Sequence, residues 1–198
     1  MRTIARFLFV AGLAAGTARE SFSQAAAPRF GAMTTSRVLL LPAQEVGGAP
    51  EARAWLTQFD SVLTARLEDG GVGSSWAYPR DAARYARMNP TYLADPHTMG
   101  AQPLKITNVK EGFALPEPFA SRVRALLAVA DARDAIVPVA ARIDSTKSPH
   151  VAQVQLTFVD GRASTVMWNG ILEVKFEGAP RVAADSLANA VARLFVQQ

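Results

Sequence analysis

The sequence predicts one α/β domain: a mixed sheet of about five strands with helices covering its apolar face. Three observations carry that reading. The apolar run Arg37–Leu41, an amphipathic helix and a second, shorter strand form a β-α-β unit, whose strands are parallel. Three later segments, Asp134–Asp144, Val151–Asp160 and Thr165–Glu177, alternate apolar and polar residues as an antiparallel meander does. A final amphipathic segment, Pro180–Val196, closes the domain.

Each element has its own signal. Pro42 stops the first strand, and Gln44–Pro50 reads as a loop. Trp55, Leu56, Phe59, Leu63 and Leu67 recur at three- and four-residue steps, which makes Glu51–Asp69 a helix with one apolar stripe. Gly70-Gly71 ends it, and Val72–Tyr78 is the second strand. Pro79–Met88 is a helix that starts on a proline and stops at Asn89-Pro90. Thr91–Gly112 has no firm period and reads as irregular, with room for one short helix. Pro116–Ala132 returns to a helical stripe of Phe119, Val123, Leu126, Leu127 and Ala130. In the meander, Gln153, Gln155 and Thr157, then Asn169, Glu173 and Lys175, form the polar side. Asp160-Gly161 makes the turn between the last two strands. Gly170 falls on the apolar side, which points to a bulge or to close packing of a helix there.

Composition narrows the chemistry. With 198 residues, 49% hydrophobic and 19% charged, the chain can bury a core and is not a disordered tail. The absence of cysteine excludes disulfides, thiolate metal sites, a thiol nucleophile and an N-terminal lipidated cysteine. His97 and His150 are the only histidines, too few for a multi-histidine metal centre. No cofactor is expected, and no apolar run reaches the length of a membrane span.

Residues 1–27 read as a signal peptide: Arg2 and Arg6, the apolar stretch Phe7–Ala15, then small residues with cleavage possible at Ala18, Ala25 or Ala27. Residues 28–36 are a linker and 37–198 the α/β domain. Removing the leader takes away Arg2, Arg6 and Arg19 against Glu20, which halves the formal charge of +4. The remaining arginines form no polybasic block, so nucleic acid is not an expected partner.

Site signals are sparse. Gly70-Gly71-Val72-Gly73 follows a helix and precedes a strand, the reverse of a phosphate loop, and so reads as a helix cap. His97, beside Asp95, has the chemistry of a base or ligand but reads more simply as a turn residue, as does His150. No Gly-x-Ser-x-Gly elbow occurs, and the acids fall at helix faces, helix ends and turns. Trp76, Tyr78 and Arg80 are the candidate binding residues. They lie at the carboxyl end of the second strand, where open α/β sheets gather ligands. Their plainer role is packing beneath the irregular middle segment, and a docking patch would require Trp76, Tyr78, Tyr85 and Tyr92 to be exposed together.

Several short motifs have a common precedent: Arg37–Leu41 ending at Pro42, the helix with Phe59 and Leu63 leading to Gly70-Gly71, Ala132–Val137, Val154–Arg162, and Val166-Met167-Trp168-Asn169-Gly170. In these the chain resembles the α/β domains of bacterial envelope proteins: the N-terminal domain of TolB, the curli-secretion lipoproteins and the activators of penicillin-binding proteins. It departs from them in lacking a lipobox cysteine and a following propeller, and Ala77–Leu104 has no counterpart. The resemblance implies a non-enzymatic periplasmic domain that docks on other envelope proteins, and it transfers no site residue. The expectation is therefore an exported envelope domain acting by protein–protein interaction. The alternative is a periplasmic small-ligand binder or hydrolase using the carboxyl end of the first two strands.

Overall fold

A computed structural model of the chain describes residues 20–23, 37–44, 50–72, 75–105 and 109–196. The leader and linker expectations lie outside these residues, except at Glu20–Ser23. The elements are β1 (Glu20–Ser23), β2 (Val38–Leu40), α1 (Pro50–Asp69), β3 (Trp76–Ala77), α2 (Pro79–Met88), α3 (Phe119–Ala130), β4 (Asp134–Asp144), β5 (His150–Asp160), β6 (Thr165–Phe176) and α4 (Pro180–Val196). Between α2 and α3 the middle segment contains a 3-10 turn, Gln102–Lys105.

The predicted mixed sheet is present. Its order is β1-β6-β5-β4-β2-β3, with β2 parallel to both β3 and β4 and the β4-β5-β6 meander antiparallel. The strands read from sequence are the five from β2 to β6. The sixth, β1, pairs antiparallel with the outer edge of β6, Glu20 opposite Val174 and Ser23 opposite Ile171.

Helix ends follow local chemistry. Gly71 takes a left-handed conformation (φ 80°). Its amide bonds to Glu68 O at 3.0 Å, and Val72 N bonds to Leu67 O at 3.1 Å. This is a Schellman cap on α1, as the glycine pair predicts. At the start of α2, Tyr78 N donates to Asp81 Oδ2 at 3.0 Å.

Helices cover both faces of the sheet, where the alternation suggested one. On the first face, α1 and α4 bury Phe59, Leu63, Leu67 and Leu187 against Val38, Leu40, Val154, Leu156 and Phe158. Each such side chain contributes about 1.5–3 kcal/mol by burial. The two helices run side by side in the same direction. Trp55 Nε1 donates to Pro180 O at 2.9 Å, Gln58 Nε2 reaches Asp185 Oδ1 at 3.2 Å, and Gly70 lies against Val196. On the second face, α3, Ala82 of α2 and the middle segment pack Phe119, Val123, Met99 and Leu104 over Leu39, Leu41, Val137 and Val159. The second core explains why Val38–Leu41 is apolar throughout: β2 is central and buried on both sides.

Gly170 has a different explanation from the helix contact or bulge it suggested. The indole of Trp168 lies over its α-carbon, so a β-carbon there would stand 2.4 Å from the ring. The β5–β6 irregularity falls nearby but elsewhere, between Phe158 and Val159. Among the described residues, no helix is long and apolar enough to cross a membrane.

Candidate functional site

The carboxyl end of β2 and β3 is rich in polar groups, but its bonds are directed inward. Beyond β2, the buried Gln44 side chain donates to Pro42 O at 3.0 Å and to Pro96 O at 2.8 Å. Its carbonyl accepts from Met99 N at 3.2 Å, so one amide ties the middle segment to the sheet. Asp60 of α1 accepts from Ala43 N at 2.9 Å through Oδ1, while its Oδ2 is buried with no hydrogen-bond partner. Burial pushes the Asp60 carboxyl up to about 7, with the Ala43 amide pulling the other way.

The three candidate binding residues separate. Trp76 and Tyr78 are 5% and 2% exposed and sit in the core under α1 and α4. Trp76 meets the ring of Phe195 edge-on, with centroids 5.2 Å apart. The Tyr78 hydroxyl is buried without a partner, and burial, with Glu68 nearby, pushes it up to about 12. Arg80 is exposed: it pairs with Glu68 of α1 and stands 5.6 Å over the Tyr78 ring. Of the four aromatics considered as a patch, Tyr92 is 82% exposed, Tyr85 is half-buried and the other two are buried. They make no continuous surface.

His97 belongs to the other face, in the turn whose Pro96 carbonyl is held by Gln44. Its Nδ1 is 3.1 Å from Asp95 Oδ1. Partial burial opposes ionisation of Asp95, but the His97 amide and ring outweigh it and hold the carboxyl below its usual range. His150 packs against Phe176, and its Nδ1 is 2.9 Å from Lys147 O. Each histidine thus has its own local partners on a different element.

A more open polar site lies on the second face, over the outer part of the meander. Register places Arg142 opposite Gln153 and Gln153 opposite Glu173. Arg142 Nε donates to Gln153 Oε1 at 2.9 Å, and Gln153 Nε2 donates to Glu173. A ladder therefore crosses three strands. Beside it is a groove of about 350 Å³ lined by Lys105, Arg142, Gln153, Gln155 and Ile171. Burial and the neighbouring Arg142 charge hold the Lys105 ammonium below its usual range. The arrangement offers two cations, a carboxylate and amide groups to a partner's polar atoms.

The polar strip continues under cover. Gln155 Nε2 donates to Leu104 O at 2.7 Å and to Asn169 Oδ1 at 3.0 Å. Thr157 Oγ1 donates to the same Asn169 oxygen at 2.9 Å. These side chains, read from alternation as the more polar face of the meander, anchor the middle segment. The alternation located the strip correctly, but nothing in it showed where the cover ends. Lys105 and Arg142 carried no signal of their own.

Fold and site together define a single-sheet α/β domain with helices on both faces and an open polar groove on one. No protein-family model matches the chain, and no curated protein matches it. Among solved structures, it is similar to the PelC dodecamer of Paraburkholderia phytofirmans at 16% identity, with 92% of this chain and 99% of that chain covered and a TM-score of 0.43. A second PelC dodecamer, a single-site variant from the same organism, aligns at 14% identity, covering 90% of this chain and 98% of that one, with a TM-score of 0.41. The resemblance to TolB receives no specific support from these two structures.

Proposed function

We propose that the chain is an exported, non-enzymatic domain of the cell envelope that acts by binding a partner protein along its open polar groove. The observation that carries this reading is the Arg142–Gln153–Glu173 ladder beside Lys105. It presents cations, a carboxylate and amides on a rigid strand platform, partly open to solvent. Arginine-containing polar platforms on regular strands suit protein recognition, because the side chains are pre-ordered before the partner arrives. Export rests on the leader pattern. The position of β1 favours cleavage after Ala18, since removal at Ala25 or Ala27 would strip Glu20–Ser23 from β6 and leave a sheet edge unpaired.

The test is site-specific photocrosslinking in cells. A crosslinker replacing Ile171 in the groove should give a discrete protein adduct, and one replacing Ala65 on the outer face of α1 should not. Arg142→Ala should remove the Ile171 adduct. A chain retained in the cytoplasm with its leader, no adduct from Ile171, or an adduct indifferent to Arg142→Ala would each reject the reading.

A further inference from the structure

We propose that the opposite end of the sheet carries a binding site for a phosphate-bearing anion. Four arginines from separate parts of the chain line one open basin of about 520 Å³: Arg37, Arg124, Arg133 and Arg162. Topology brings them together. The parallel strands β2 and β4 both begin at this end, just after Arg37 and Arg133. Antiparallel β5 finishes there, with Asp160 opposite Asp134, so the β5–β6 turn delivers Arg162. Arg124 comes from α3.

The basin has a fixed floor. Gly161 sits so close to α3 and to the start of β4 that a β-carbon would be 2.2 Å from Leu127 Cδ1 and 2.7 Å from Arg133 O. The backbones bearing the arginines are tied down as well. Arg133 N donates to Arg37 O at 3.0 Å, and Arg162 N donates to Asp160 Oδ1 at 2.7 Å.

The four guanidinium groups are not equally occupied. Arg133 is shared between Asp134 at 3.8 Å and Asp160 at 3.5 Å. Arg124 pairs with Glu117 at 3.2 Å and donates to Ser164 Oγ at 2.7 Å. Among the described residues, the side chains of Arg37 and Arg162 have no hydrogen-bond or ion-pair partner. Asp131, at the left-handed end of α3, contributes one carboxylate to the rim. Glu117, Asp134 and Asp160 are already engaged by Arg124 and Arg133; with Asp131 the carboxylates formally balance the four arginines, and among the described residues the guanidinium groups of Arg37 and Arg162 are the ones left unpaired at the basin.

Those two unpaired donor forks select the ligand. A phosphate monoester carries about −1.5 to −2 at neutral pH and has three acceptor oxygens, enough for two guanidinium forks. A single carboxylate carries one charge and is satisfied by one fork. Arginine also serves better than lysine here, because its planar donors match two phosphate oxygens at once.

The site is tested by titration calorimetry of the mature chain with inorganic phosphate and pyrophosphate at low ionic strength. Co-sedimentation with phosphatidic acid vesicles, whose headgroup is a phosphate monoester, against phosphatidylcholine vesicles, provides the second arm. The double variant R37Q/R162Q should weaken binding by about tenfold or more, as expected for losing charge-assisted bonds, while R66Q on α1 should bind as the parent does. R162K alone should weaken it less, keeping the charge but losing the fork. Binding of free phosphate without vesicle pelleting identifies a soluble ligand; arginine-dependent pelleting with phosphatidic acid identifies a lipid headgroup. Thermal melts of R37Q/R162Q should match the parent, since the replaced side chains bond to nothing described. Failure of every probe to bind, or binding that survives R37Q/R162Q, would overturn the proposal.

Discussion

Asp60 receives the Ala43 amide on one carboxylate oxygen, at 2.9 Å, while its other oxygen is buried with nothing to bond. This half-satisfied carboxyl is the α1 contact that holds the chain where it leaves β2. It also makes the fold sensitive to pH. With its pKa raised from 3.8 to about 7, the folded protein keeps the Asp60 proton over a range in which the unfolded chain releases it. Its contribution to stability is therefore full below pH 4, falls as pH rises from about 4 to 7, and is level above that.

Asp60→Asn removes the titration and keeps the acceptor for Ala43. The expected result is a flatter profile of Tm against pH between 5 and 8, with the variant gaining on the parent toward pH 8. Thermal melts across that range check it. Parallel profiles would show that Asp60 ionises normally in the fold. The lowered carboxyls of Asp95, Asp144 and Asp160 act in the opposite sense, but their effect is complete at more acidic pH.

Gly170→Ala should be destabilising by about 1–3 kcal/mol, the usual cost of overpacking. The new methyl would meet the Trp168 indole at 2.4 and 2.5 Å, and the ring is itself packed in the first core. Urea denaturation measures the loss. Adding Trp168→Phe, which removes the two nearest ring atoms, should reduce the penalty of Gly170→Ala relative to the same change in the parent.

Asn169→Ala takes the shared acceptor from Gln155 and Thr157 and the donor to Val109 O. Leaving buried polar groups unmet costs about 1–3 kcal/mol. The release should be local, because the clamp holds the middle segment and not the helices on the other face. Hydrogen exchange should rise around Ala101–Lys105 while α1 and α4 keep their protection. A uniform rise across the chain would contradict the clamp.

The mature protein should begin at Arg19. Mass spectrometry of the exported chain reads this directly. Cleavage at Ala25 or Ala27 would mean that the β6 edge is bare in the exported form or is filled by another segment.

Much of the fold was legible because burial imposes periodicity. Pro180–Val196 and Pro79–Met88 match their predicted bounds, and the three meander strands fall within a residue of theirs. The second strand shrank to Trp76–Ala77, since a two-residue edge strand leaves too short a pattern to delimit. The candidate site was less legible. Trp76 and Tyr78 have the composition of a contact patch, but their side chains face the α1–α4 core. Residue type alone does not reveal which face a short strand presents.

The order of elements, the strand directions and the Schellman end of α1 were set by local sequence: apolar period, proline stops and a glycine tolerant of positive φ. What the tertiary structure alone decided was which polar residues meet. Arg142 reaches Gln153 across 11 positions of chain, and Arg37 and Arg162 share a basin although β2, α1, β3, α2, α3, β4 and β5 all lie between them in the chain. Such encounters depend on register and on how the layers stack, and both are settled by packing many residues at once.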